Sequence, residues 1–537
     1  MTPVPDPQAF PEAAAHPAEA AAVATSLPAG RTVAGLAQAP ETAATTVPAE
    51  ALATRPAQRQ ALAAAALGLL ERCLARTDVG PPGDARAMPS PEALAAWLQP
   101  PTDTGRPEAE LMAVLLAAAQ AGCNKRHPGD LAYMPSAGLY SGAIAALLAA
   151  GLHGHTASAH EAPGLVALEE GVLRWLAGVL GLPPDSEGLL LSGGSLANQT
   201  AVACARAWAA PPPAGPMGAL AYVPTGAQTG AQIPAQASAG APPGLAYLGE
   251  QAHHSLAKAL HLSGLPPGAL RHIPSDAQGR LDVAALQRQI DADRRAGLRP
   301  WLLLATAGST DTGAIDDLPA LTRLAAAHGL WCHVDAAYGG LFALTARGAE
   351  RLQGLAAADS VTVDAHKGLQ LPYGAAALLV RRPGALARAH AARGPYLRDL
   401  PAAPQDLPNY FERGPEQTRP FRGLLLWLPL HWHGVAAFRQ ALDHALDQAA
   451  LAAQRLAAWP ECELLQAPPA LSIVAFRARA GDDTTARWLA VLNGSDRLHV
   501  ASTQVGGRLA IRLAFLQPGS GQAQVDQLLA LLQSAAA

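Results

Sequence analysis

Four segments set reactive side chains directly after short apolar runs. HVDAAYGG (333–340) ends such a run on Asp335. A carboxylate there is costly to bury unless it meets a cation. VDAHKGLQLPYG (363–374) sets Lys367 just past another run, in a mostly apolar context that suits Schiff-base chemistry. His366 beside it is placed to contact an anion or to position the amine. LSGGSLAN (191–198) brings Gly193, Gly194 and Ser195 to a strand–helix junction. The first amides of a helix lack intrahelical acceptors, and together with the dipole they favour an anion. EQAHHSLAKAL (250–260) follows LAYL with His253, an imidazole suited to stacking on a flat ring, and with Ser255, which opens a helix.

Each segment alone has an ordinary reading: a tight turn, a capping aspartate, a surface His-Lys pair, a polar loop histidine. Together they supply an anion cradle, a counter-ion for a ring nitrogen, a stacking ring and an amine nucleophile. Those are the protein's share of a pyridoxal-5′-phosphate (PLP) site, where the cofactor is the electron sink and the protein attaches, orients and tunes it.

The elements that must position these groups follow from periodicity. GLLLS (188–192), LAYL (245–248), LRHIP (270–274), WLLLATA (301–307), LWCHVDA (330–336), SVTVDA (360–365) and AAALLVR (375–381) read as strands. Leu196 to Trp208, Asp282 to Ala296 and Leu318 to His328 read as the helices between them. Continuous hydrophobicity in the strands fits coverage on both faces, hence an α/β domain with a mostly parallel seven-stranded sheet. Ligands in such sheets sit beyond the carboxyl ends of the strands. After about Ala436 a long helix, LSIVAFRA, a helix from Thr484, RLAIRLAF and a last helix predict a smaller α+β domain. The expected divisions are an Ala/Pro-rich disordered tail over 1–55, a helical segment over 56–125, a large domain over 126–435 and a small one over 436–537. A low-complexity stretch over 211–244 reads as a surface insertion within the large domain.

Composition narrows the function class. The 537 residues are half hydrophobic, enough to bury a large core. A net charge of −4 with interspersed signs suggests neither a nucleic-acid partner nor a membrane surface. Five scattered cysteines without CxxC spacing suggest a reducing compartment and no zinc framework or other metal centre. The N-terminus lacks the pattern of a secretory signal, and no apolar run suits a membrane span, so a cytoplasmic protein is expected.

From HPGDLAYMP through LEEGVLRWLAGVLGLP, the four segments, TAGSTDTGAIDDL and TRPFRGLLLWLPL, the chain resembles the group II PLP-dependent amino-acid decarboxylases. That family includes aromatic-L-amino-acid, glutamate and diaminobutyrate decarboxylases. The resemblance implies the PLP-dependent transferase fold type I and release of carbon dioxide from an L-amino acid, an aromatic one slightly favoured. An aldehyde synthase or another carbon–carbon lyase on the same fold is the rival reading, and a non-catalytic PLP-binding homologue a third.

By matching position, Lys367 is implied as the cofactor-bearing lysine and Asp335 as the partner of the pyridine nitrogen. His253 and Ala337 are implied on the two ring faces, and Thr310 at the ring hydroxyl. Gly194, Ser195, Asp364 and His366 fall at phosphate contacts, Asp364 through an intervening water or proton. Arg512 falls where the family holds the substrate carboxylate. Tyr410, in LPNYFERGPEQTRPFR, aligns with a mobile-loop tyrosine that supplies the replacement proton and favours simple decarboxylation, with Tyr396 as second choice. A homodimer is implied, with Tyr133 and Met134 reaching the neighbouring site. Leu196, Gly368 and Met134 depart from residues common in the family, which leaves the side-chain specificity open.

Overall fold

The structure, a computed structural model, describes residues 56–74, 89–135, 137–209, 244–391 and 407–536. The chain divides into two compact units, residues 1–65 and 66–537. In the first, the described residues are the opening turns of helix Pro56–Leu74. The Ala/Pro-rich tail over 1–55 and residues 211–243 of the insertion lie outside the described residues. The rest of the fold belongs to the second unit.

Its seven expected strands all form: β1 Glu187–Leu191, β2 Gly244–Gly249, β3 Leu270–Ile273, β4 Arg299–Thr306, β5 Trp331–Asp335, β6 Ser360–Asp364 and β7 Ala376–Val380. They make one sheet in the order β1-β7-β6-β5-β4-β2-β3. Neighbours from β6 through β5, β4 and β2 to β3 run parallel, whereas β7 is antiparallel to both β1 and β6. Consecutive residues Leu302, Leu303 and Leu304 of β4 are all 0 % exposed, so both faces are covered. That explains runs without polar alternation. Each such leucine contributes roughly 1.5–3 kcal/mol of burial.

Helices fill the layers between strands. Helix Val283–Arg295 is capped by Asp282, which accepts from the Ala285 amide at 2.9 Å. Asp317 does the same for Leu318–His328 through Ala320, at 3.0 Å, and Gly329 ends that helix in a left-handed conformation. These caps satisfy amides that the helix leaves free.

A second, antiparallel sheet holds β8 Cys462–Leu464, β9 Ile473–Ala478, β10 Ala501–Val505 and β11 Arg508–Ala514, ordered β10-β11-β9-β8. Its core contains Phe476, Trp488 and Phe515 under helices Val435–Ala457, Asp482–Gly494 and Gln522–Ala536. The fold is therefore the fold-type-I arrangement, a large α/β layer system with a smaller C-terminal α+β part.

Strand direction decides where chemistry gathers. Because β7 runs against both neighbours, β1 points the same way as β6. The carboxyl ends of β1, β2, β4, β5 and β6 therefore share one edge of the sheet.

Candidate active site

That edge opens onto a cavity of about 330 Å³. β1 passes through Ser192 and Gly193 into helix Gly194–Ala209, and all of Ser192 to Ser195 line the cavity. Gly194 is needed for close approach. A Cβ there would lie 2.9 Å from Asp364 Oδ2 and 3.3 Å from the Ala337 methyl.

At the end of β4 and just beyond it, Thr306, Gly308 and Thr310 also line the cavity. Gly308 has a φ of +102°, and a side chain there would meet the Tyr338 ring at 2.6 Å. Buried Asp316 holds this turn by accepting from the amides of Thr306 and Leu281, each at 2.8 Å. Burial pushes its carboxyl up to about 6.

β5 ends on Asp335, whose Oδ2 accepts from Asn198 Nδ2 at 2.8 Å and whose Oδ1 accepts from the Ala337 amide at 3.1 Å. β6 ends on Asp364 and turns at once into His366 and Lys367. Lys367 Nζ lies 3.3 Å from Asp364 Oδ2, and His366 Nε2 lies 3.6 Å from the same oxygen. Asp364 Oδ1 and His366 Nδ1 are buried with no hydrogen-bond partner. After β2, His253 Nδ1 meets Ser255 Oγ at 2.8 Å, and desolvation lowers the imidazole below its ordinary value.

The structure thus brings Gly194, Ser195, His253, Thr310, Asp335, Ala337, Asp364, His366 and Lys367 to one cavity. Four other expected residues do not line it. Tyr410 is no loop residue: it is 0 % exposed, gives its hydroxyl to Glu170 at 3.2 Å, and lies under the Arg419 guanidinium. Its alignment with a mobile-loop tyrosine is corrected by this burial, which an aromatic ring in a packed core favours. Tyr396, the second choice, lies outside the described residues. Arg512 is buried with its guanidinium engaged by the carbonyls of Thr310 and Ala132, so it braces the Thr310 turn. Met134 belongs to the large core. Half-exposed Tyr133 packs beneath Lys125 Nζ, 3.6 Å from its ring centre.

Asn198, Tyr338 and Tyr373 complete the lining and were not singled out from the sequence. Asn198 sits four residues past Gly194, one helical turn on, which was the available signal.

Residues 230–479 match the pyridoxal-dependent decarboxylase conserved domain. The aromatic-L-amino-acid decarboxylase of Bacillus atrophaeus is 33% identical over 351 residues, 65% of this chain and 67% of the relative. The chain belongs to the pyridoxal-dependent decarboxylase family. The L-2,4-diaminobutyrate decarboxylase of Rhizobium meliloti (strain 1021) is another relative, 30% identical over 75% of this chain and 77% of its own. A crystal structure of Oryza sativa TDC with PLP and tryptamine shares the decarboxylase fold with a TM-score of 0.79, at 23% identity over 90% of this chain and 98% of that one.

This decarboxylase is accordingly a PLP-dependent carboxy-lyase acting on an amino acid. Its cavity fits the cofactor on local grounds. The close approach at Gly194, the free amides of the helix start and the unpartnered His366 Nδ1 suit a phosphate, and the Asp335 carboxylate suits a pyridinium. Among the described residues no helix is long and apolar enough to cross a membrane.

Proposed function

We propose that this cavity decarboxylates an L-amino acid, an aromatic one in first place, with Lys367 as the residue that carries PLP. The observation that carries the reading is the convergence of Lys367, Asp335, His253 and Gly194 on one cavity of about 330 Å³. When bound, PLP supplies the electron sink for the bond to the departing carboxylate.

The chain's own residues do the rest. Asp335 offers a fixed negative charge to the ring nitrogen, held by two hydrogen bonds that keep it aimed. His253 and Ala337 would flank the ring. Gly194, Ser195 and His366 would hold the phosphate, and Thr310 would meet the ring hydroxyl. Lys367 would attach the cofactor through its side-chain amine.

The aromatic preference is supported by the lining. Among the described residues the cavity has two tyrosines, Tyr338 and Tyr373, and no arginine to pair with an acidic side chain. The name of the Bacillus atrophaeus relative points the same way. A homodimer with Tyr133 of one copy near the site of the other is part of the proposal, as are a large domain over 126–435 and a small one over 436–537.

The burial of Tyr410 favours a second reading, aldehyde synthesis, because the preference for simple decarboxylation rested on that phenol. A carbon dioxide release screen over the standard amino acids and diaminobutyrate, with amine, ammonia and hydrogen peroxide assayed together, separates the two. Amine without ammonia or peroxide supports decarboxylation. Ammonia and peroxide in step with carbon dioxide support the synthase.

A further inference from the structure

The Asn198 amide touches both sides of the cavity, and the proton on every neighbouring atom follows from donor and acceptor rules. A carboxylate only accepts, so the Asn198 atom 2.8 Å from Asp335 Oδ2 is Nδ2. Oδ1 is then the atom 3.1 Å from His333 Nε2. An amide oxygen also only accepts, so His333 carries its proton on Nε2. His333 is 0 % exposed, and burial pushes it down to about 4, leaving Nδ1 bare to accept from Ser360 Oγ at 2.9 Å. Ser360 Oγ in turn accepts from the donor-only Trp331 Nε1 at 2.9 Å.

The other arm runs to His253. The second Asn198 amide hydrogen goes to Ser255 Oγ at 3.0 Å, and Ser255 passes its own hydroxyl hydrogen to His253 Nδ1 at 2.8 Å. The Ser255 backbone N–H also donates to that nitrogen, at 3.3 Å. A ring nitrogen receiving two donors holds no proton, so neutral His253 carries its proton on Nε2.

We propose that Asn198 is a positioning residue that ties the Asp335 carboxylate to the His253 tautomer, making His253 a neutral Nε2–H donor and not a base. The inference rests on the roles proposed above for Asp335 and His253 and adds the device that sets their proton positions. A donor at Nε2 suits the substrate's carboxylate, which must be oriented without being protonated away from departure.

The test uses the full-length, cofactor-free chain labelled with 15N-histidine, read by long-range 1H–15N correlation at neutral pH. Single His253→Gln and His333→Gln variants assign the signals. Both imidazoles are expected with protonated Nε2 and bare Nδ1. Asn198→Leu should turn both into tautomer mixtures and weaken PLP retention roughly tenfold, the effect of losing a charge-assisted hydrogen bond. Ser255→Ala leaves His253 Nδ1 only the longer backbone donor at 3.3 Å, so it should shift His253 alone towards a mixture. A proton on His253 Nδ1 in the unmodified chain overturns the proposal, as does a folded Asn198→Leu with both patterns unchanged. If Asn198→Leu does not fold, an unchanged His253 in Ser255→Ala overturns it. Correct tautomers in a protein that releases no carbon dioxide would sink the proposed reaction and leave this arrangement standing.

Discussion

Lys367 Nζ lies 3.3 Å from Asp364 Oδ2, one turn back along the segment that leaves β6. Attack on an aldehyde uses the amine's lone pair, so this ion pair must be given up before the cofactor is attached. Asp364→Asn keeps the shape and removes the charge. It is expected to speed cofactor attachment, followed as growth of the visible absorption band, because the amine no longer faces a paired carboxylate. Slower attachment would mean that the carboxylate instead serves as the proton acceptor.

Gly194 gives a steric prediction. A methyl there meets Asp364 Oδ2 at 2.9 Å and the Ala337 methyl at 3.3 Å. Overpacking of this kind costs about 1–3 kcal/mol, so Gly194→Ala should retain PLP about 10- to 100-fold more weakly. Equilibrium dialysis of the cofactor measures it, and unchanged retention would remove Gly194 from the phosphate cradle.

Two buried groups set opposing pH dependences. Burial lowers His333 from 6.5 to about 4, so the unfolded chain takes up a proton before the folded one does. Its contribution is present above pH 6.5 and is lost as pH falls towards 4, on the order of 3 kcal/mol. Asp316, raised to about 6, runs the other way: its contribution is present below its unfolded value of 3.8 and is lost as pH rises through 6. His333→Gln should therefore lower stability at pH 7 and flatten its fall between pH 7 and pH 5. Urea midpoints at the two pH values test this, and parallel losses in both proteins would contradict it.

Tyr410 is bonded to Glu170 inside the core. Tyr410→Phe is expected to cost about 1 kcal/mol of stability and to leave amine as the product. With Tyr410 away from the cavity, Tyr396, the second choice from the sequence, is the tyrosine to test as proton donor. Tyr396→Phe should depress amine formation and raise ammonia and aldehyde. The opposite pattern of products in the two variants would restore Tyr410 to the chemistry.

The strands of the large sheet were legible because strands covered on both faces carry uninterrupted apolar runs, as in WLLLATA and SVTVDA. β10, ASTQV, was not: one of its faces is wet, and its polar residues read as loop. The cavity lining was legible where a residue directly follows a strand, as with Asp335 and Lys367. Asn198 was missed because it reaches the site from inside a helix. Arg512 and Tyr410 were misplaced because chain order does not tell whether a polar side chain turns to the cavity or to a backbone carbonyl or carboxylate behind it.

The central claim concerns one lysine, and the sequence has only three: Lys125, Lys258 and Lys367. Borohydride reduction of the PLP-loaded chain, followed by peptide mass mapping, fixes the cofactor to whichever lysine carries it. The phosphopyridoxyl group is predicted on the peptide containing Lys367, and neither label nor visible band in Lys367→Ala. A label on Lys125 or Lys258, or a band that survives in Lys367→Ala, would contradict the account.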